Sequence, residues 1–194
     1  MFVNFIEKIR CFVAVDLPRE AISQIKEIQK KIKKHNLFIG KFTESENLHL
    51  TLKFLGEIEE DKIEKVKEKL EEIQFEEFDA KLGEIGIFSK KFIKIIWIKL
   101  DGKKILDLQK QMDDALKDLF VPEARFMSHV TIARVKNVKD RNALIEYIKR
   151  IKSKSAEFKI EEFFLKKSTL MPEGPIYEDI LKIELKSSED KKDK

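Results

Sequence analysis

A chain of 194 residues that is 42% apolar and 39% charged suffices for one ordinary domain, or two small lobes on a shared core, and is too apolar to be disordered. Its 40 Lys and Arg against 36 Asp and Glu leave a net charge of only +4, which excludes a uniformly cationic nucleic-acid coat while leaving room for a local basic groove. The single cysteine, Cys11, excludes an internal disulfide, suits a reducing cytoplasm, and reads as a small core residue on a strand.

The first ten residues include Glu7, Lys8 and Arg10, a stretch too short and too charged for a signal or membrane-spanning segment. Residues 1–9 read as an extension ahead of the domain. Phe12 to Asp16 predicts a strand. After Pro18, Ile22, Ile25, Ile28 and Ile32 recur at three- and four-residue steps, the mark of a helix packed by one stripe. Lys33, Lys34 and His35 close it, where cations suit the helix dipole, so His35 is expected to have no catalytic task.

Leu48 to Leu55 predicts a strand, and Ile63, Val66, Leu70 and Ile73 a helix. Phe78 to Phe88 and Phe92 to Leu100 predict two further strands. Next come a helix through Ile105, Leu108, Met112, Ala115 and Leu119, a strand over Ser128 to Val135, and a helix through Leu144, Ile148 and Ile151. Phe158 to Lys167 and Ile176 to Leu185 are strands rich in branched and aromatic residues. Residues 187–194 contain nothing apolar and are expected to be a disordered tail. The fold class expected is α+β, one domain over residues 1–186, soluble and monomeric.

A repeat lies inside this order. Of three histidines, two open the same phrase: His49-Leu50-Thr51-Leu52 and His129-Val130-Thr131-Ile132. Each opens a strand that runs on into a helix, and the unit recurs after 80 residues. The expected architecture is two pseudo-symmetric lobes, each a mainly antiparallel sheet backed by helices, with a central cleft.

Alternation puts His49 and Thr51 on one strand face, with Leu50, Leu52 and Phe54 behind; His129 and Thr131 share a face in the second copy. If the two strands meet, two imidazoles flank one anionic group, with a hydroxyl from each side on its oxygens. That suits in-line displacement at phosphorus, one histidine taking a proton and the other giving one near neutrality. A histidine on a strand is often only a hydrogen-bonded structural residue; two in matched settings favour catalysis. No cysteine or further histidine suggests a metal site, and neither metal nor cofactor is expected.

HLTLKFLGE (His49 to Glu57) and HVTIARVK (His129 to Lys136) resemble the paired HxTx motifs of the 2H phosphoesterases. Arg10 to Pro18 resembles the opening strand of the RNA 2′,3′-cyclic phosphodiesterases (2′-5′ RNA ligases), Thr43 to Asn47 their lead-in, and Lys167 to Leu170 with Gly174 to Glu178 their closing segment. The resemblance implies metal-independent hydrolysis of an RNA-terminal 2′,3′-cyclic phosphate to a 2′-phosphate, with 2′-5′ ligation as the related reverse chemistry. It makes His49 the proton donor and His129 the proton acceptor, and gives Thr51, Thr131 and Arg134 to the phosphate.

Strict alternation turns Arg134 away from His129, so that role requires a twist or bulge. Phe42, Lys41 and Phe126 are further candidates for base or backbone contacts, with Phe54, Arg125, Lys166 and Lys167 less specific ones; each aromatic is better suited to the core than to a base. Expected partners are RNA ends carrying the cyclic phosphate, tRNA halves among them, in RNA processing, and no membrane. Two other readings remain: a phosphodiesterase for a small cyclic nucleotide or 2′-5′ oligonucleotide, and a non-enzymatic RNA-binding module.

Overall fold

In the computed structural model, which describes residues 7–153 and 157–187, the first strand, β1 (Lys8–Asp16), buries Cys11 to Val15 without a break. A continuous apolar run of this kind belongs to a strand covered on both faces. The strand begins at Lys8 and pairs Ile9 with Ile58, within the stretch 1–9 read as an extension. Residues 1–6 and the tail beyond Ser187 lie outside the described residues.

The remaining elements follow as α1 (Arg19–His35), β2 (Phe38–Phe42), a 3-10 turn (Ser45–Asn47), β3 (His49–Glu59), α2 (Glu60–Glu71), β4 (Phe78–Ile87) and β5 (Ile95–Asp101). Then come α3 (Ile105–Leu116), β6 (His129–Val138), α4 (Arg141–Arg150), β7 (Glu157–Ile160), β8 (Glu162–Met171) and β9 (Gly174–Glu184). All four predicted helices are present. α1 buries Ala21, Ile25, Ile28 and Ile32 and ends on Asn36 in the left-handed conformation, whose N–H returns to the Lys33 carbonyl. Leu119 and Ile151 fall just past their helices.

Two strand readings change. β2 was not expected: it is five residues, contains Gly40, and buries only Phe38, so it carries no alternating signal and exists by pairing with β6. The run Phe158 to Lys167 is two strands. Its first part, β7, pairs with β4 and its second, β8, pairs with β1 and β9.

Along the sheet the order is β7-β4-β5-β6-β3-β1-β8-β9, every neighbour antiparallel, with β2 on β6. Reading outward from the middle, β6-β5-β4-β7 mirrors β3-β1-β8-β9. The two expected lobes are therefore halves of one sheet, joined by the single pair Leu50 with Val130. One hydrophobic cluster, from Cys11 to Leu185, runs through both halves. It includes the buried stripes of α1 to α4, which back the sheet on the face opposite His49 and His129.

A buried ion pair penetrates that core. Lys53 and Asp113, 3% and 6% exposed, form an ion pair between β3 and α3. Lys53 also donates to the Val121 carbonyl at 2.9 Å, and Asp113 accepts from Gln109 at 2.7 Å and the Glu123 N–H at 2.9 Å.

Candidate active site

The joint between the half-sheets places the repeated phrases. The single antiparallel pair of Leu50 with Val130 brings the two phrases together, with His49 and Thr51 flanking the joint on β3 and His129 and Thr131 flanking it on β6. Leu50 and Val130 are buried on the helix side. By alternation the four polar residues share the other face.

That face is a cleft of about 500 Å³, lined by His49, Thr51, His129, Thr131 and Arg134, with Arg10, Phe12, Asn47, Phe54 and Tyr177 among its other walls. Arg134 reaches it through a bulge. Thr131 pairs with Trp97 and Ala133 with Ile96, which leaves Ile132 as the extra residue on β6. The strand's phase then inverts: Ala133 turns to the core and Arg134 to the cleft.

β3 does the same 80 residues earlier. Thr51 pairs with Ala14 and Lys53 with Val13, so Leu52 is the extra residue, Lys53 turns to the core, and Phe54 turns out, 65% exposed. A second shift follows at Gly56, whose φ of 75° suits a residue without Cβ. Phe54 and Arg134 are thus equivalent positions in the two halves.

α1 holds the β6 bulge. The Gln29 side-chain amide donates to the carbonyls of Ile132, at 2.9 Å, and Thr43, at 2.8 Å, while the Thr43 N–H also reaches the Ile132 carbonyl. Gln29→Leu leaves those part-buried carbonyls short of a donor, and we expect a loss of about 1–3 kcal/mol in urea unfolding. A fall in kcat/KM should accompany it as Arg134 loses its place. Unchanged kcat/KM in a destabilised variant would separate the bulge from the site.

The histidines are oriented alike. His49 Nδ1 donates to the Asn47 carbonyl at 3.0 Å and His129 Nδ1 to the Met127 carbonyl at 2.8 Å. A carbonyl can only accept, so Nδ1 carries the proton in each neutral ring and Nε2 is left as the acceptor. The Thr51 hydroxyl donates to His49 Nε2 at 3.1 Å.

His49 is enclosed by Phe12, with ring centroids 4.9 Å apart, and by the edge of Tyr177 at 5.1 Å. Burial, with the cations Lys166 and Arg134, pushes its pKa down to about 4, against a smaller opposing pull from the Asn47 carbonyl. His129 meets Phe88 edge-on at 4.9 Å. His35 stands apart, in tilted ring contact with Tyr147 at the end of α1.

The remaining sequence candidates divide. Lys41 and Phe42 line the cleft; Lys41 is paired with Glu44 at 2.6 Å and donates to the Glu173 carbonyl, tying β2 to the β8–β9 hairpin. Phe126 is half-buried, packs against the core, and is not among the cleft's lining residues. Lys166, read as a guide for RNA, is instead 6% exposed and bridges Asp16 at 2.8 Å and Asp179 at 2.6 Å. Lys167 pairs with Glu178, and Arg125 lies outside the cleft lining. Sequence reading missed Tyr177, Phe12 and Phe88, each of which looks like an ordinary strand aromatic until pairing sets it beside an imidazole.

Matched half-sheets that each deliver an imidazole and a hydroxyl to one cleft define a phosphoesterase of the two-histidine class. The profile of the LigT-like phosphoesterases matches residues 15–97 and again 98–177, one copy for each half of the repeat. The chain belongs to that family. The RNA 2′,3′-cyclic phosphodiesterase of Methanocaldococcus jannaschii is 34% identical over 174 residues, covering 88% of this chain and 98% of the relative. That of Methanothermobacter thermautotrophicus is 32% identical over 179 residues, covering 89% and 97%. The crystal structure of TT0787 of Thermus thermophilus superposes with a TM-score of 0.77 at 26% identity, covering 92% of this chain and 99% of that one. E. coli LigT complexed with phosphate shares the fold, with a TM-score of 0.72 at 23% identity, covering 92% and 98%.

Proposed function

We propose that this protein hydrolyses the 2′,3′-cyclic phosphate at an RNA end to a 2′-phosphate. The observation that carries the reading is that two imidazoles and two threonine hydroxyls, one of each from either half-sheet, line the same cleft. The names borne by the relatives above support the substrate class.

In the hydrolysis, His129 Nε2 takes a proton from water as the water oxygen bonds to phosphorus. The bond from phosphorus to O3′ breaks on the opposite side, and O3′ receives a proton from His49. Thr51 and Thr131 donate to the non-bridging oxygens, and Arg134 offsets their charge. Both proton transfers are made by the protein's own side chains, so the scheme routes no step through a metal ion or cofactor.

Lys41 and Phe42, on the cleft wall, are proposed to contact the terminal nucleotide. On this reading residues 1–186 act as one bilobal domain, a monomer of the cytoplasm, with tRNA halves as candidate substrates. The core cluster running through both halves and the lone buried Cys11 support it.

Product analysis tests the proposal. With EDTA present and an oligonucleotide ending in a 2′,3′-cyclic phosphate, the expected product is a 2′-phosphate. A 3′-phosphate would reverse the leaving oxygen, and dependence on a divalent ion would undo the mechanism. A rate indifferent to RNA length would favour a small cyclic nucleotide as substrate.

A further inference from the structure

We infer that the segment from Phe88 to Lys94, beside His129, is a platform for a second RNA strand, the one whose 5′-hydroxyl can take the place of water. The inference rests on the acid-base assignment above. In an in-line displacement the attacking and leaving oxygens occupy opposite sides of phosphorus. With His49 serving O3′, the terminal ribose lies on the His49 side. Any alcohol that attacks in place of water must then approach from the side of His129.

That side is built for a strand rather than for water alone. Phe88, 53% exposed, stands edge-on to His129 at 4.9 Å and tilted to Trp97 at 5.8 Å. Ser89 Oγ accepts the Phe92 N–H at 3.2 Å, closing a turn that carries Lys90 and Lys91 outward. Phe92 beyond them is 65% exposed, with the Lys91 ammonium 5.5 Å from its ring centre. Buried Ile93 roots the segment, and the Lys94 carbonyl accepts from the Val135 N–H at 2.8 Å, one residue from Arg134. Exposed rings interleaved with cations suit single-stranded nucleic acid, because every base has a face to stack and every linkage a charge.

Charge favours the same side. On the His49 side Lys166 is held by Asp16 and Asp179, Lys167 by Glu178 and Lys41 by Glu44, which leaves Arg10 as the cation of that wall in no such pair among the described residues. Among the described residues, Lys90, Lys91 and Lys94 are in no ion pair with a carboxylate. Glu146, which feels Lys90, is itself bridged to Lys149 at 2.7 Å.

The chemistry balances without a co-reactant. His129 takes the proton of the 5′-hydroxyl as O5′ bonds to phosphorus. The bond to O3′ breaks, and O3′ takes the proton of His49, leaving a 2′-5′ linkage beside a free 3′-hydroxyl. In reverse, the 3′-hydroxyl attacks, losing its proton to His49, and O5′ departs with the proton of His129.

The reverse reaction gives the test. RNAs with one 2′-5′ linkage followed by either one nucleotide or about six are cleaved by the wild type and by the triple variant Lys90→Ser, Lys91→Ser, Phe92→Ser. Hydrolysis of a mononucleoside 2′,3′-cyclic phosphate runs alongside. The wild type should cleave the longer RNA faster, and the variant should lose about tenfold of that advantage. The salt dependence of cleavage should flatten by about 0.7 in slope for each phosphate that the removed lysines no longer neutralise, while mononucleotide hydrolysis holds within about twofold.

A variant that retains the length advantage, or that loses mononucleotide hydrolysis in parallel, would overturn the platform. So would a wild type that hydrolyses the cyclic phosphate but leaves 2′-5′ linkages intact. A wild type inert toward the cyclic phosphate would instead refute the proposed hydrolysis.

Discussion

His49→Ala and His129→Ala should each lower kcat on a 2′,3′-cyclic phosphate by at least about a hundredfold, with the thermal unfolding midpoint little changed. Each ring is half-buried at the sheet joint and makes one backbone hydrogen bond, so its removal costs little packing. If the two groups act in one concerted proton traffic, as proposed, the double variant should be scarcely worse than either single one, since such effects do not add. Near wild-type turnover in either variant would end the acid-base assignment.

The pH profile sharpens the same expectation. The proposed assignment requires one proton donor and one proton acceptor, so kcat/KM should pass through a maximum that belongs to the pair. Without substrate, burial and neighbouring cations hold His49 neutral down to about pH 4. A bound phosphodiester adds a negative charge facing those cations and raises the ring's proton affinity. The basic limb of kcat, which reports the complex, should therefore lie at higher pH than that of kcat/KM. Coincident profiles would remove the substrate from His49's electrostatics.

Asp113→Ala should be the most damaging change to stability, by about 3–5 kcal/mol in urea unfolding, because it strands the Lys53 ammonium in the core. The Gln109 amide and the Glu123 N–H lose their acceptor at the same time. Replacing Lys53 by Met together with Asp113 by Leu should cost much less, since no buried charge remains unpaired. Equal losses in the two variants would show the pair to be incidental.

The pair also sets an acid limit. Burial alone raises the Asp113 carboxyl, but bonds from Lys53, Glu123 and Gln109 outweigh it and leave the pKa lowered. Its stabilisation is present above the ordinary aspartate range and is lost as pH falls through the depressed folded value. His49 acts earlier. Its folded pKa lies below the free value, so its share is complete above about pH 6.5 and is lost as pH falls toward 4.

The helices and most strands were legible because burial imposes a period: Ile25, Ile28 and Ile32 on α1, or Leu50 and Leu52 behind His49 and Thr51. The repeat exposed the half-sheets. What alternation could not show was phase. It turned Arg134 away from the site and grouped Phe54 with the core, and both were reversed by bulges at Ile132 and Leu52. The β6 bulge is held by Gln29, 103 residues away, a partnership with no local signature. Lys166 looked like one more surface cation, since only the pairing of β8 with β1 and β9 brings Asp16 and Asp179 to it. β2 was silent because it has no buried face of its own.

The equivalence of Phe54 and Arg134 sets unlike side chains at matching points of the two halves. His49 and His129 already differ in their ring neighbours, Phe12 and Tyr177 for one and Phe88 for the other. A phenyl ring at one end and a guanidinium at the other make the cavity directional. On the proposed assignment, that polarity is what would give four look-alike groups unlike duties.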